Sequence, residues 1–173
     1  MPDLKQSLQE IQASLGLSAA ELQQRLQLMQ LAPEDVQAFS PYLPLIERLQ
    51  QDCMQAMREH LTPFEHPQGL LGTDQQAGPE DYPLRYFSRL LQGPFDLQYV
   101  RLRLLNGIQQ QGRGVTLKWY LGVYQYYLGY MSRALDEQLV DQPAIARQLC
   151  RILQRTVFFD MSLLVDTYAA AGR

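Results

Sequence analysis

An all-α fold is what the sequence predicts, on three observations. Apolar residues recur at three- and four-residue spacing along most of the chain, the period of a helix packed on one face. Capping residues, prolines and glycines stand between those stretches, where helices start and stop. No stretch alternates apolar and polar residues as a half-buried strand does. The 173 residues suffice for one domain with a sizeable core. About two dozen glutamines favour long helices with a polar, weakly charged surface.

The elements follow in order. Leu4, Leu8, Ile11 and Leu15 form a helical stripe over residues 3–15, ended by Gly16. Ser18-Ala19-Ala20-Glu21 reads as a capping box opening a second helix that continues through Leu22, Leu26 and Met29. Pro33-Glu34-Asp35 suits the first turn of a third, since proline lacks an amide that this turn leaves unpaired and acids favour the positive helix end. A long helix is expected over 44–61, with Leu45, Leu49, Cys53, Ala56 and Met57 on one side. Prolines and glycines crowd 62–80, which reads as loop and short turns. Further helices are expected at about 80–92, 95–111, 116–138 and 143–170.

Composition excludes several function classes. A formal charge of −3 and an isoelectric point near 5.3 leave no basic field to hold nucleic acid or an anionic membrane surface. No apolar run approaches the roughly 20 residues that cross a bilayer, and residues 1–20 lack a signal-peptide core. Cys53 and Cys150 stand outside any CxxC or metal-ligand spacing, so both are expected as reduced, buried thiols in a cytoplasmic protein. Phosphate loops, nucleophile elbows, paired histidines and metal-spaced carboxylates are absent from the sequence, which argues against an enzyme. Glu80-Asp81 and Asp136-Glu137 read as solvated helix-end charges.

A motif near residue 110 carries more. Asn106-Gly107-Ile108-Gln109-Gln110 is followed by Trp119-Tyr120, with Arg103 ahead and Tyr124 behind. This resembles the signature of the sensor globins, the haem domains of globin-coupled sensors. There an arginine precedes an Ile-Gly pair, a histidine follows three residues after the glycine, and a Trp-Tyr pair comes nine residues later. Three more segments are similar to that family. They are Arg25–Leu31 with Pro33-Glu34-Asp35, Phe39 and Pro41-Tyr42-Leu43; Leu91–Asp96 with Tyr99; and Phe159–Tyr168. The resemblance implies a globin-like arrangement over 18–173, with residues 1–17 as an appended helix packing on the domain or on a dimer partner. Eight or so helices of mixed length suit that arrangement better than a four-helix bundle.

The same resemblance places Gln110 at the position of the proximal histidine that holds haem iron. A carboxamide offers only a neutral oxygen there, a far weaker ligand than imidazole for ferrous iron. The chain has two histidines, His60 and His66, which fall at the end of the long helix and in the loop after it. Both are expected at the surface, with relocation of one onto the iron as the alternative. The family's oxygen-binding tyrosine would fall near Met57-Arg58, and no tyrosine lies between Tyr42 and Tyr82. The expectation is therefore a haem-free domain with no metal. Leu90, Tyr99, Trp119 and Tyr120 are candidate pocket-lining residues, and haem is the alternative cofactor.

Partners are implied by two helices. Trp119, Tyr120, Tyr124, Tyr126, Tyr127 and Tyr130 crowd one of them, with Tyr120, Tyr124, Tyr127 and Met131 on a core stripe and other aromatics facing outward. Gly122 and Gly129 lie seven apart in the same helix, and close approach of another helix is the simplest reason for them; a kink is the alternative. In the sensor globins this helix and the last one pair across a two-fold axis. A homodimer through about 116–138 and 143–168 is expected, with Leu149, Ile152, Leu153, Val157, Phe159, Leu163 and Leu164 as its wide apolar surface. Three functions are open: a haem-free sensory domain acting on an output domain or partner, a haem-based gas sensor with unusual ligation, and a carrier of an apolar small molecule.

Overall fold

The computed structural model describes residues 4–64, 87, 90–91 and 93–171. Its helices are α1 (Leu4–Ser14), α2 (Ala19–Leu28), α3 (Pro33–Phe39), α4 (Leu43–Leu61), α5 (Leu97–Gly112), α6 (Leu117–Gln138) and α7 (Pro143–Ala171). A 3-10 turn, Ser40–Tyr42, joins α3 to α4. Phe87, Leu90 and Leu91 are also helical, which agrees with part of the helix expected at 80–92; the remainder of that helix and most of the loop at 62–80 lie outside the described residues. No strand occurs among the described residues.

Local chemistry sets the helix starts. Ser18 Oγ accepts from the Glu21 amide at 3.2 Å, which begins α2. The reciprocal half of the expected capping box is missing. Glu21 Oε1 accepts from Arg25 at 2.8 Å, and Oε2 has no partner. Pro33 opens α3, where the Asp35 carboxylate reaches back to the Ala32 amide at 2.8 Å. Asp96 opens α5, its Oδ1 accepting from the Tyr99 amide at 2.8 Å. Helix α2 ends with Gln30 in the left-handed region at φ 53°, where a glycine would be at ease. Arg155 holds the Gln30 carbonyl there at 3.0 Å.

Helix α7 is the central element. It packs along α5 and α6 and touches α1 and α3, while α4 packs on α6. Two expectations change as a result. Leu149, Ile152, Leu153, Val157, Phe159, Leu163 and Leu164 are at most 4% exposed within one chain, so this apolar surface belongs to the domain core. The outward face of α7 carries Phe158 and Val165 instead. The glycines change place too: a methyl group at Gly122 or Gly129 would meet nothing within 4 Å. The close approach occurs at Gly107 of α5, where a Cβ would lie 3.0–3.1 Å from the side chain of Thr167 on α7. Helix α1 lies mainly on α5, with Ile11 buried.

All seven helices contribute to one core, which includes Ile46, Leu49, Cys53 and Met57 of α4 and Tyr120, Tyr124, Tyr127 and Met131 of α6. Cys53 is fully buried and Cys150 half-buried, both as free thiols. None of the described helices is long and apolar enough to cross a membrane.

Candidate functional site on helix α5

One face of α5 carries Tyr99, Arg103, Asn106 and Gln110, spaced to lie above one another. All four are buried, which is unusual for a stripe so polar. The first two residues meet Asp160 of α7, a carboxylate 1% exposed. Arg103 Nε lies 2.7 Å from Asp160 Oδ1, and Tyr99 donates its hydroxyl to the same oxygen at 2.8 Å. Tyr124 of α6 donates its hydroxyl to Asp160 Oδ2. The guanidinium also stands over the Tyr99 ring, 4.7 Å from its centre. A buried charge needs both a counter-charge and hydrogen bonds, and Asp160 has both.

This network fixes three helices to one another. Burial pushes the Tyr99 hydroxyl well above its ordinary range, helped by the Asp160 charge and opposed by Arg103. Tyr99 therefore remains a neutral donor. A second polar cluster lies between α4 and α6. Gln50 donates to the Tyr127 hydroxyl at 2.8 Å and to the Phe87 carbonyl at 3.1 Å, while the Phe87 and Tyr127 rings stack at 4.1 Å. Burial raises the Tyr127 pKa, and the Gln50 bond works against that shift.

The remaining residues of the α5 stripe differ. Gln110 is 3% exposed and Asn106 8%, and the side-chain oxygens of both are enclosed without a hydrogen bond. Gln110 was expected at the iron-ligand position, and it does project into the interior. Leu90, Tyr99 and Tyr120 are buried as well. Tyr120 stacks on Tyr124 at 6.4 Å and meets Tyr168 edge-on at 6.1 Å. Trp119 is only half-buried, with the Lys118 ammonium 5.1 Å from its ring. His60 is exposed and stacks on Tyr126 at 4.6 Å, whereas His66 lies outside the described residues.

Those placements test the fit to haem. The interior donor at position 110 is a neutral carboxamide oxygen, not an imidazole nitrogen, and the described histidine stands on the outside. Among the described residues this donor set does not fit iron held in the manner of the sensor globins. Sequence reasoning gave Asp160 no role. A signal for it exists: an acid on the apolar stripe of a long helix, in step with Leu149, Ile152, Leu153, Val157 and Leu164, demands a buried partner.

A groove of about 500 Å³ lies between α1, α5 and α7 and is lined by Ser7, Ile11, Ser14, Ile108 and Gln111. One of about 470 Å³ runs beside Val115, Leu117 and Tyr168. Another, about 410 Å³, lies between Leu22, Leu26 and Phe95. None is lined by Gln110, Asn106 or Asp160.

No curated protein matches the chain. The model of the Protoglobin family matches residues 18–173, a span that takes in the whole α2–α7 arrangement and the α5 stripe. The chain therefore belongs to the Protoglobin family, as a globin-fold sensory domain.

Proposed function

We propose that this protein is a haem-free regulatory domain that relays a signal through a homodimer to an output domain or partner. Gln110 carries the reading. The motif resemblance aligns it with the iron ligand of the sensor globins, its side chain is buried, and its carboxamide oxygen is a far weaker ligand than imidazole. The absence of any tyrosine between Tyr42 and Tyr82 removes the family's oxygen-binding hydroxyl as well. The network at Asp160 supports a role for α7 as the relay, because it ties that helix to α6 and to the α5 face that also carries Gln110. Any catalysis would belong to the output module, and the setting is cytoplasmic.

The homodimer is drawn through the outward faces of α6 and α7. Leu121, Phe158 and Val165 are exposed there, and Gly122 and Gly129 present no side chain. Apolar residues gathered on an open face mark a partner surface. A signal passes only if the stimulus stabilises two dimer arrangements unequally.

An absorption spectrum of the purified protein, before and after hemin, tests the cofactor reading. No Soret band surviving gel filtration is the expected result. A stoichiometric band lost in His60→Ala or His66→Ala would replace the reading with a gas sensor of relocated ligation. Sedimentation of Phe158→Asp against the parent chain tests the dimer, with monomer expected for the variant.

A further inference from the structure

Asn106 Oδ1 and Gln110 Oε1 are enclosed in the interior with no hydrogen-bond partner. The other polar groups of this core behave differently. Tyr99, Arg103 and Tyr124 converge on Asp160, Gln50 bonds twice, and the hydroxyls of Thr156 and Thr167 bond carbonyls of their own helix. An unpaired buried carboxamide lowers the folding equilibrium constant by about 5- to 150-fold. Two such groups side by side on one helix call for a partner that the described residues do not supply.

Their geometry narrows its chemistry. Positions 106 and 110 are one helical turn apart on one face, so their Cβ atoms stand about 5–6 Å apart. One small group with two donors can serve both oxygens, as a buried water commonly does for unsatisfied carbonyls. Both acceptors are uncharged, so no cation is needed. Arg103, one turn away on the same face, is already engaged by Asp160. A carboxylate headgroup would set acceptor against acceptor, which disfavours fatty acids.

We infer that Asn106 and Gln110 together bind a neutral hydrogen-bond donor, either an ordered water or the N–H or O–H group of a neutral guest molecule. The inference rests on the haem-free reading, since iron bound at residue 110 would engage Gln110 itself.

The test combines a high-resolution crystal structure with native mass spectrometry of the full chain, purified without added ligand. Density within about 2.6–3.2 Å of both side chains is expected. The bare chain mass identifies that density as water, and surplus mass identifies a guest. Asn106→Leu, Gln110→Met and the double variant are then compared by urea denaturation. A shared donor makes the double variant lose little more stability than either single one. A dry site whose apolar variants each gain stability additively overturns the inference, as does re-pairing of both carboxamides with protein groups. A Soret band that hemin produces and Gln110→Leu abolishes would overturn both readings; a dry site in a protein without that band overturns this one alone.

Discussion

Arg103 and Asp160 meet at 2.7 Å in the interior, with side chains 6% and 0% exposed. The pair joins the polar face of α5, which also carries Asn106 and Gln110, to α7. Removing one member takes the counter-charge at 2.7 Å from a buried ion, a change that costs about 3–5 kcal/mol. Arg103→Leu is therefore expected to lower stability by that order in guanidinium denaturation. The double variant Arg103→Leu/Asp160→Asn should recover part of the loss, because the carboxamide carries no charge and can still bond the Tyr99 and Tyr124 hydroxyls.

Gly107 offers a purely steric test. A Cβ there would stand 3.0–3.1 Å from three atoms of the Thr167 side chain, which lies within a packed helix pair. Gly107→Ala should destabilise the fold by about 1–3 kcal/mol, the usual cost of overpacking. Adding Thr167→Ala should restore part of it by removing two of those three atoms, Cγ2 and Oγ1. Thermal unfolding of the two single variants and the double one checks both statements.

The open glycines predict the opposite sign. Nothing lies within 4 Å of a Cβ at Gly122 or Gly129, so alanine fits without strain. Each Gly→Ala change should raise the stability of the folded chain by roughly 0.5–1 kcal/mol through helix propensity alone. In a dimer closed through this face, the added methyls should also weaken association, read as a higher dissociation constant in sedimentation.

Alkaline pH should unfold the protein gradually. Burial pushes the Cys53 thiol from 9.0 up to about 12 and the Tyr168 hydroxyl from 10.0 up to about 12. A raised pKa means that the folded state holds its proton more tightly. The associated stability is fully present below the unfolded values and is lost as pH rises through the folded ones. Stability should hold to about pH 9 and fall between there and 12. Thiol labelling of the native protein near pH 8 should modify half-buried Cys150 before Cys53.

Gln110→His asks whether the fold still accepts the family's cofactor. An imidazole at this buried position would supply the nitrogen donor that the carboxamide lacks. Hemin titration should give a Soret band in Gln110→His that the parent chain does not show. Equal spectra for the two proteins would mean that more than the ligand has changed in the interior.

The sequence by itself determined the helices and their order. Period and punctuation are local properties, and the starts at Ser18, Pro33 and Asp96 are written in the residues that cap them. Its motif also singled out Gln110, because a motif fixes spacing along one helix, and that residue is buried. Tertiary structure decided which faces touch. The stripe from Leu149 to Leu164 looks the same whether it packs on its own chain or on a partner, and only the placement of α5 and α6 makes it core. Within one chain the glycine that admits a close helix is Gly107, since room beside a backbone depends on the neighbour. Asp160 gains its partners from helices some 36 and 61 residues away, Tyr124 and Tyr99, a separation that no local pattern spans. The two unpaired carboxamides are the sharpest case: their residue types are legible in the chain, but their lack of a partner is a property of the packed interior alone.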